Sequence, residues 1–387
     1  MPVITNVEDL RQLARRKVPK AIFEYIDHGS YDQLSLANNR NDLNAIRFRQ
    51  RVMIDAETRD LTTTMLGENV AMPIAIAPTG LTGLMHGNGE MLAARAAEAA
   101  GIRFTLSTMS ICSIEDVRSA IKGPFWFQLY VFKDSGFNEQ VIDRAKAAGC
   151  SALFVTVDLP MRGQRHCDLK NGLTVPPRLT ARNALDIMTK PGWLAGVLMG
   201  KRKSFGNVDY YLGQKGNIWA AGRWGGDNFD RSLSWKDLGW IRKRWPGKLV
   251  IKGVLDPEDA KIAANEGADA IVVSNHGGRQ LDGTPGTVTV LPRIAEAVGD
   301  RLEVLMDGGI RSGQDVLKAL ALGAKGCLIG RAYLYGLAAM GEAGVTKALD
   351  LMREELRVAM SLTGVKDIDE ISRDILYDDY SDKRRNA

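Results

Sequence analysis

Residues Ala270–Gly283 read AIVVSNHGGRQLDG, and this stretch decides the fold. Ala270–Ser274 is a short apolar run without the polar alternation of a half-buried strand. It reads as a strand covered on both faces, the kind found in parallel sheets. A polar, glycine-rich turn follows at once, and helical signals resume near Val290–Val298. The same unit recurs along the chain. Pro73–Ala77 leads to Gly89–Ala100, Phe104–Ser107 to Ser113–Ile121, Trp126–Leu129 to Gly136–Ala148, and then Ala152–Val157 follows. Beyond a long interruption, Leu249–Lys252 leads to Asp256–Glu266, Val304–Asp307 to Ser312–Leu322, and Cys327–Ile329 to Ala332–Met340. Eight strand–helix units over roughly 260 residues predict an α/β fold of the (β/α)8 TIM barrel type, with a doubly wound open sheet as the alternative. Ser113 and Ser312, each with an acid three residues on, and Asp256 before Pro257 supply helix starts.

The remainder is arranged around that barrel. The 387 residues read as a single domain: a helical cap over 1–70, the barrel over 71–340 with an insertion at about 175–233, and a C-terminal helix and tail over 341–387. An insertion that long with no clear pattern is expected to be functional or mobile. Within it, Pro191–Gly200 (PGWLAGVLMG) runs directly into Lys201-Arg202-Lys203. Apolar groups beside cations suit a peripheral membrane contact over 191–203, and an oligomer or packing segment is the competing reading.

Composition narrows the function. A net charge of +5 is too small to argue for nucleic acid, and fits an anionic substrate or membrane surface. The four cysteines form no C-x-x-C, so no zinc ribbon or other metal site is expected and a reducing, cytoplasmic setting fits. The N-terminus lacks an apolar core, so no signal peptide is expected. The longest uncharged run, Asn69–Gly89, is too rich in glycine and proline to span a bilayer.

In a barrel of this kind, chemistry belongs to the C-terminal ends of the strands. There the sequence places Thr156 and Asp158, Lys252, Ser274 with His276 and Arg279, Asp307-Gly308-Gly309-Ile310-Arg311, and Gly330-Arg331. The last two loops suit a phosphate, because glycines let backbone N–H groups approach an anion and arginines add charge. His276 suits a general base and Asp158 the carboxylate that orients it. Arg165 and Arg279 suit a substrate carboxylate, which guanidinium binds through two parallel hydrogen bonds. Lys252 follows a buried strand and needs an anionic partner. Tyr25 and Tyr130 could donate hydrogen bonds, although core packing is the commoner role of such residues.

The motifs SNHGGRQLDG, DGGIRSG (Asp307–Gly313), WFQLYV (Trp126–Val131), APTG (Ala77–Gly80) and TVD (Thr156–Asp158) together resemble the FMN-dependent α-hydroxy-acid oxidising enzymes. The resemblance runs from Thr5 to about residue 370. It implies oxidation of a small L-2-hydroxy acid, most simply L-lactate to pyruvate, with His276, Asp158 and Tyr130 catalytic and Tyr25, Tyr130, Arg165 and Arg279 on the substrate. It implies FMN against Pro78, Thr79, Gly80, Ser107 and Gln128, then Thr156, Lys252 and Ser274. The cofactor phosphate would meet Gly309, Arg311, Gly330 and Arg331, and Asp307 and Gly308 would also lie on the cofactor. Lys252 would face the flavin edge.

Gly80, where the family's oxidases commonly carry alanine, matches its lactate and mandelate dehydrogenases. Ser234–Ala260 looks most like the bacterial respiratory L-lactate dehydrogenases, whereas the segment after Arg165 is closer to the mandelate and glycolate branches. A quinone or other respiratory acceptor, a homotetramer, and a place at the inner face of the cell membrane are what this subfamily resemblance implies. No haem-binding segment precedes the barrel, so a cytochrome fusion is not expected. An O2-using hydroxy-acid oxidase and a mandelate dehydrogenase are the alternatives.

Overall fold

The computed structural model describes residues 3–173, 180–213 and 216–377. The last part of the segment after Arg165, the start of the insertion and the final ten residues therefore lie outside the described residues. Helices α1 (Val7–Lys17), α2 (Lys20–Asp27) and α3 (Leu34–Ala45) come first, then a short antiparallel hairpin, β1 (Thr63–Met65) and β2 (Glu68–Val70). Eight parallel strands follow: β3 (Ile74–Ile76), β4 (Arg103–Ser107), β5 (Trp126–Leu129), β6 (Ala152–Thr156), β7 (Lys248–Val254), β8 (Ala270–Val273), β9 (Glu303–Met306) and β10 (Gly326–Ile329). They close into one barrel, with β10 pairing back onto β3. The open-sheet alternative is thereby excluded, and every strand read from the sequence is present with ends shifted by one or two residues.

The continuous apolar strands have a simple cause. Alternate side chains point in and out, and both sides are dry. Ala75, Trp126, Phe154, Val250, Val272, Leu305 and Leu328 fill the interior, with the Trp126 and Phe154 rings 5.2 Å apart. Ile74, Phe127, Leu153, Ile251 and Ile271 face the outer ring of helices. In that ring, α4 (Gly89–Ala99), α5 (Ile114–Ala120) and α6 (Ser135–Ala147) serve the first strands. Ser113 closes the expected capping box with Asp116.

The first 70 residues serve two ends of the barrel, where the sequence suggested one helical cap. Met65, Leu66 and Val70 pack into the interior cluster, and the Leu66 N–H donates to the Glu303 carboxylate at 2.8 Å. Glu303 begins β9, so the hairpin plugs the N-terminal mouth. Helix α3 covers the opposite mouth. Gly278 (φ 72°) is so close to α3 that a Cβ there would lie 2.5 Å from the Leu36 nitrogen.

The insertion is helical, which the sequence did not suggest. After α7 (His166–Lys170) come α8 (Ala181–Met188), α9 (Pro191–Met199), α10 (Gly206–Leu212) and α11 (Ile218–Asn228). α9 is apolar all round, so it lacks the periodicity that reveals a surface helix. Neither α8 nor α9 has a buried residue, and Leu185, Met188, Leu198 and Met199 are exposed. The neighbouring cations are less free than their sequence suggests. Lys201 and Arg202 both pair with Asp116, and Lys203 donates to the carbonyl of Val197 at the end of α9. A buried carboxylate at the start of α5 requires such partners.

Helices α12 (Leu238–Arg244), α13 (Pro257–Asn265), α14 (Thr287–Val298), α15 (Gly313–Ala321) and α16 (Arg331–Met340) complete the ring, and α17 (Glu342–Thr363) packs across α16 and α15. Asp256 and Ser312 cap α13 and α15 as read from the sequence.

Candidate active site

The C-terminal ends of the strands open into a cavity of about 590 Å³. Its wall carries Tyr25, Thr156, Arg165, Lys252, His276 and Arg279, together with the loops of Pro78–Gly80, Asp307–Arg311 and Gly330–Arg331. Tyr130 joins them from the end of β5. Four of the expected residues stand one layer behind: Asp158 against His276, Ser274 against Lys252, and the Ser107–Gln128 pair.

His276 sits where β8 turns sharply into a loop. It adopts φ 57°, followed by Gly277 at 63° and Gly278 at 72°. Left-handed backbone costs an ordinary residue roughly 1–2 kcal/mol, so an imidazole here is held against a preference for glycine. Its Nδ1 lies 2.9 Å from Asp158 Oδ1, which leaves Nε2 as the nitrogen for chemistry. Gly253, next to Lys252 on β7, makes this pair possible, because a Cβ there would lie 2.6 Å from that of Asp158. Burial would raise the Asp158 carboxyl, but His276 and Lys252 overcome it and hold the group below the usual carboxylate range. Gln280, overlooked in the sequence reading, fixes the same segment by donating to the carbonyls of Asp158 and Met161 at 2.8 and 2.9 Å.

Lys252 Nζ is 2.8 Å from Asp307 Oδ2 and donates to Ser274 Oγ at 2.9 Å. Burial disfavours the ammonium, yet Asp307 and Asp158 more than compensate and raise its pKa. Asp307 thus faces the lysine, although its place in the DGGIR loop suggested the phosphate side.

The two arginines are half-buried and close together. Burial, then the charge of Arg279, brings Arg165 down to about 10, and burial also lowers Arg279. The nearest carboxylate oxygen paired with Arg165 is that of Asp168, at 3.8 Å. Arg279 Nη1 donates to the carbonyls of Tyr25 and His28, and its guanidinium lies 4.8 Å from the Tyr25 ring centre. Burial and nearby Asp158 push the Tyr130 phenol up, so it stays a hydrogen-bond donor. Mutually repelling cations on one wall are suited to a small carboxylate.

The phosphate loops differ in detail from expectation. The Arg331 side chain is committed to the carbonyls of Ile26, Gly277 and His28. What it can offer an anion is the backbone N–H at the start of α16. Arg311 lies on the wall with its guanidinium 5.6 Å from the Tyr335 ring centre. Deeper in, Gln128 Nε2 and Asp307 Oδ1 are buried without a partner. A planar ring edge carrying both acceptors and an N–H satisfies such a mixture, so these residues fit a flavin mononucleotide. The sequence reading also missed the cavity's outer wall, where Met109, Phe132, Ile218, Trp219 and Phe229 close the space. Two of those residues lie on α11, whose approach to the barrel mouth no local pattern announces.

A family model described as FMN-dependent dehydrogenase matches residues 14–378. The chain is 52% identical over 375 residues to an L-lactate dehydrogenase of Caulobacter vibrioides, covering 97% of this chain and 98% of that one. It is 51% identical to an L-lactate dehydrogenase of Vibrio cholerae, covering 97% and 99%. Among solved structures, it superposes on a monotopic membrane protein, (S)-mandelate dehydrogenase, with TM-score 0.92 and 37% identity, covering 97% of this chain and all of that one. A mandelate oxidase matches with TM-score 0.82 and 35% identity, covering 97% and 98%.

Proposed function

The chain belongs to the FMN-dependent dehydrogenase family, and from that premise we propose that it oxidises L-lactate to pyruvate. FMN, when bound, supplies the two-electron acceptor. Lys252 and Thr156 would meet its ring, with the buried Gln128 amide behind them turned toward its edge, and the Gly308–Arg311 and Gly330–Arg331 loops would meet its phosphate.

Arg165 and Arg279 hold the substrate carboxylate, with Tyr25 beside it. His276 Nε2 takes a proton from the substrate's hydroxyl-bearing carbon or its hydroxyl. Asp158 fixes the imidazole and stabilises its cation. Tyr130, kept as a phenol, donates to the substrate oxygen. The observation that carries this reading is the conjunction on one wall of a carboxylate-oriented imidazole and two half-buried guanidiniums.

The test is anaerobic mixing of the flavin-loaded protein with L-lactate, glycolate and (S)-mandelate while flavin absorbance is followed. L-Lactate is expected to bleach the flavin fastest. No bleaching by L-lactate, or faster bleaching by (S)-mandelate, would refute the substrate. Comparing quinone reduction with peroxide yield then separates a respiratory dehydrogenase from an oxidase. We favour a quinone or other respiratory acceptor, in keeping with the L-lactate dehydrogenase relatives.

The whole chain is proposed to act as one catalytic unit, assembled as a homotetramer and seated peripherally at the inner face of the cell membrane through 191–203. Among the described residues, no helix is long and apolar enough to cross a bilayer. The exposed apolar residues of α8 and α9, and the monotopic character of the mandelate dehydrogenase relative, support a surface contact.

A further inference from the structure

Behind the carboxylate seat, the fold gathers three metal-ligating side chains that the reaction does not use. Glu24 and His28 lie one helical turn apart at the end of α2, and Cys167 lies on α7. One ligand atom from each lies within 4.8 Å of the other two, and all three residues are half-buried. The Cys167 thiol donates to Glu24 Oε2 at 3.1 Å. Asn171, at the end of α7, donates to the same Glu24 oxygen at 2.6 Å and to Cys167 Sγ at 3.5 Å. One amide thus orients two of the three candidate ligands, as outer partners do around metal sites.

We propose that Glu24, His28 and Cys167 bind a thiophilic divalent cation of the zinc type, with a fourth position open to water. One thiolate, one imidazole and one carboxylate suit zinc and not magnesium or calcium, which take oxygen ligands. Neighbouring ligand atoms in a tetrahedral site are roughly 3.3–3.8 Å apart for metal–ligand bonds of about 2.0–2.3 Å. Closing the present spacing, up to 4.8 Å, to that range brings α2 and α7 slightly closer together. Binding forms the metal–sulfur bond as the thiol S–H breaks and its proton leaves to solvent. Lys20 Nζ, 3.4 Å from Glu24 Oε1, is on the exposed side and can swing away.

The cation would tie together the two elements from which the carboxylate seat hangs. The carbonyls of Tyr25 and His28 hold Arg279 at 2.6 and 2.9 Å, and that of His28 also holds Arg331 at 2.9 Å. Arg165 is the N-cap residue of α7. Drawing α2 toward α7 shifts both guanidiniums, and productive binding tolerates only about 0.5 Å of such displacement. Zinc therefore raises KM for L-lactate. This consequence rests on the proposed function, whereas the site itself does not.

The experiment uses untagged, flavin-loaded protein and Zn²⁺. Equilibrium dialysis is expected to give one zinc per protomer at this site, weakened at least tenfold in Cys167→Ser and in His28→Gln. X-ray absorption at the zinc edge is expected to show one sulfur at about 2.3 Å, lost in Cys167→Ser. A sulfur-free shell in the wild-type protein, or affinity within threefold of wild type in both variants, would overturn the site. Sulfur-bound zinc with an unchanged KM would overturn the link to the carboxylate seat. A protein that ignores L-lactate would defeat the proposed function while leaving the dialysis and absorption results to decide the site.

Discussion

His276 joins a costly backbone conformation to a carboxylate-anchored ring, and its replacement is expected to be costly in turn. His276→Ala should lower kcat/KM for L-lactate by about 10²–10⁴-fold, the usual worth of a positioned base; stopped-flow flavin reduction within tenfold of wild type would contradict this. Asp158 adds a pH signature. Its carboxyl is depressed in the folded protein, so its stabilisation is present above about pH 4, the unfolded value, and fades as pH falls through the lower folded value. The melting-temperature difference between wild type and Asp158→Asn should therefore be larger at pH 7 than at pH 3. At this scale the sequence was informative where a strand end fixes direction: His276, Lys252 and Arg279 all follow apolar runs. It was silent on partners. That Asp307 meets Lys252, that Arg331 spends its side chain on carbonyls, and that Cys167 lies beside Glu24 depend on contacts spanning 54 to more than 300 residues.

Elements were legible in proportion to how strongly one environment acted on them. The barrel strands, dry on both faces, and the capped helices after them were read almost to the residue. The insertion helices were not, because α9 lies on the surface with an all-round apolar sequence. Two predictions concern elements. Gly278→Ala would force a Cβ to within 2.5 Å of α3 at a left-handed φ. It should destabilise the protein by about 2–4 kcal/mol, combining strain with overpacking, as measured by denaturant unfolding; a change below 0.5 kcal/mol would be inconsistent with tight docking of α3. For the membrane contact, the double substitution Leu198→Asp with Met199→Asp should abolish cosedimentation with phosphatidylglycerol-containing vesicles without altering lactate oxidation in detergent-free buffer. Equal sedimentation of variant and wild type would remove α9 as the contact.

At the scale of the whole molecule, cofactor and cap share a boundary, since the loops that would hold the phosphate also touch α2 and α3. Removing FMN should lower the melting temperature. A ligand at a hundred times its Kd contributes about 2.7 kcal/mol, which for a chain of this size is a shift of roughly 3 °C. Scanning calorimetry of stripped and reloaded protein checks this, and coincident transitions would contradict it. The barrel type and the role of its upper rim could be read from the repeated strand–helix unit, but the division of the first 70 residues between two mouths could not, since a three-residue strand carries almost no periodic signal. The plug formed by Met65, Leu66 and Val70 bears on the order of assembly. Those residues leave the ribosome early, yet Leu305 and Leu328, which complete their seat, are made some 240 and 260 residues later. The early-made hairpin therefore gains its full seat only once these late strands are present, a separation of the kind that slows folding.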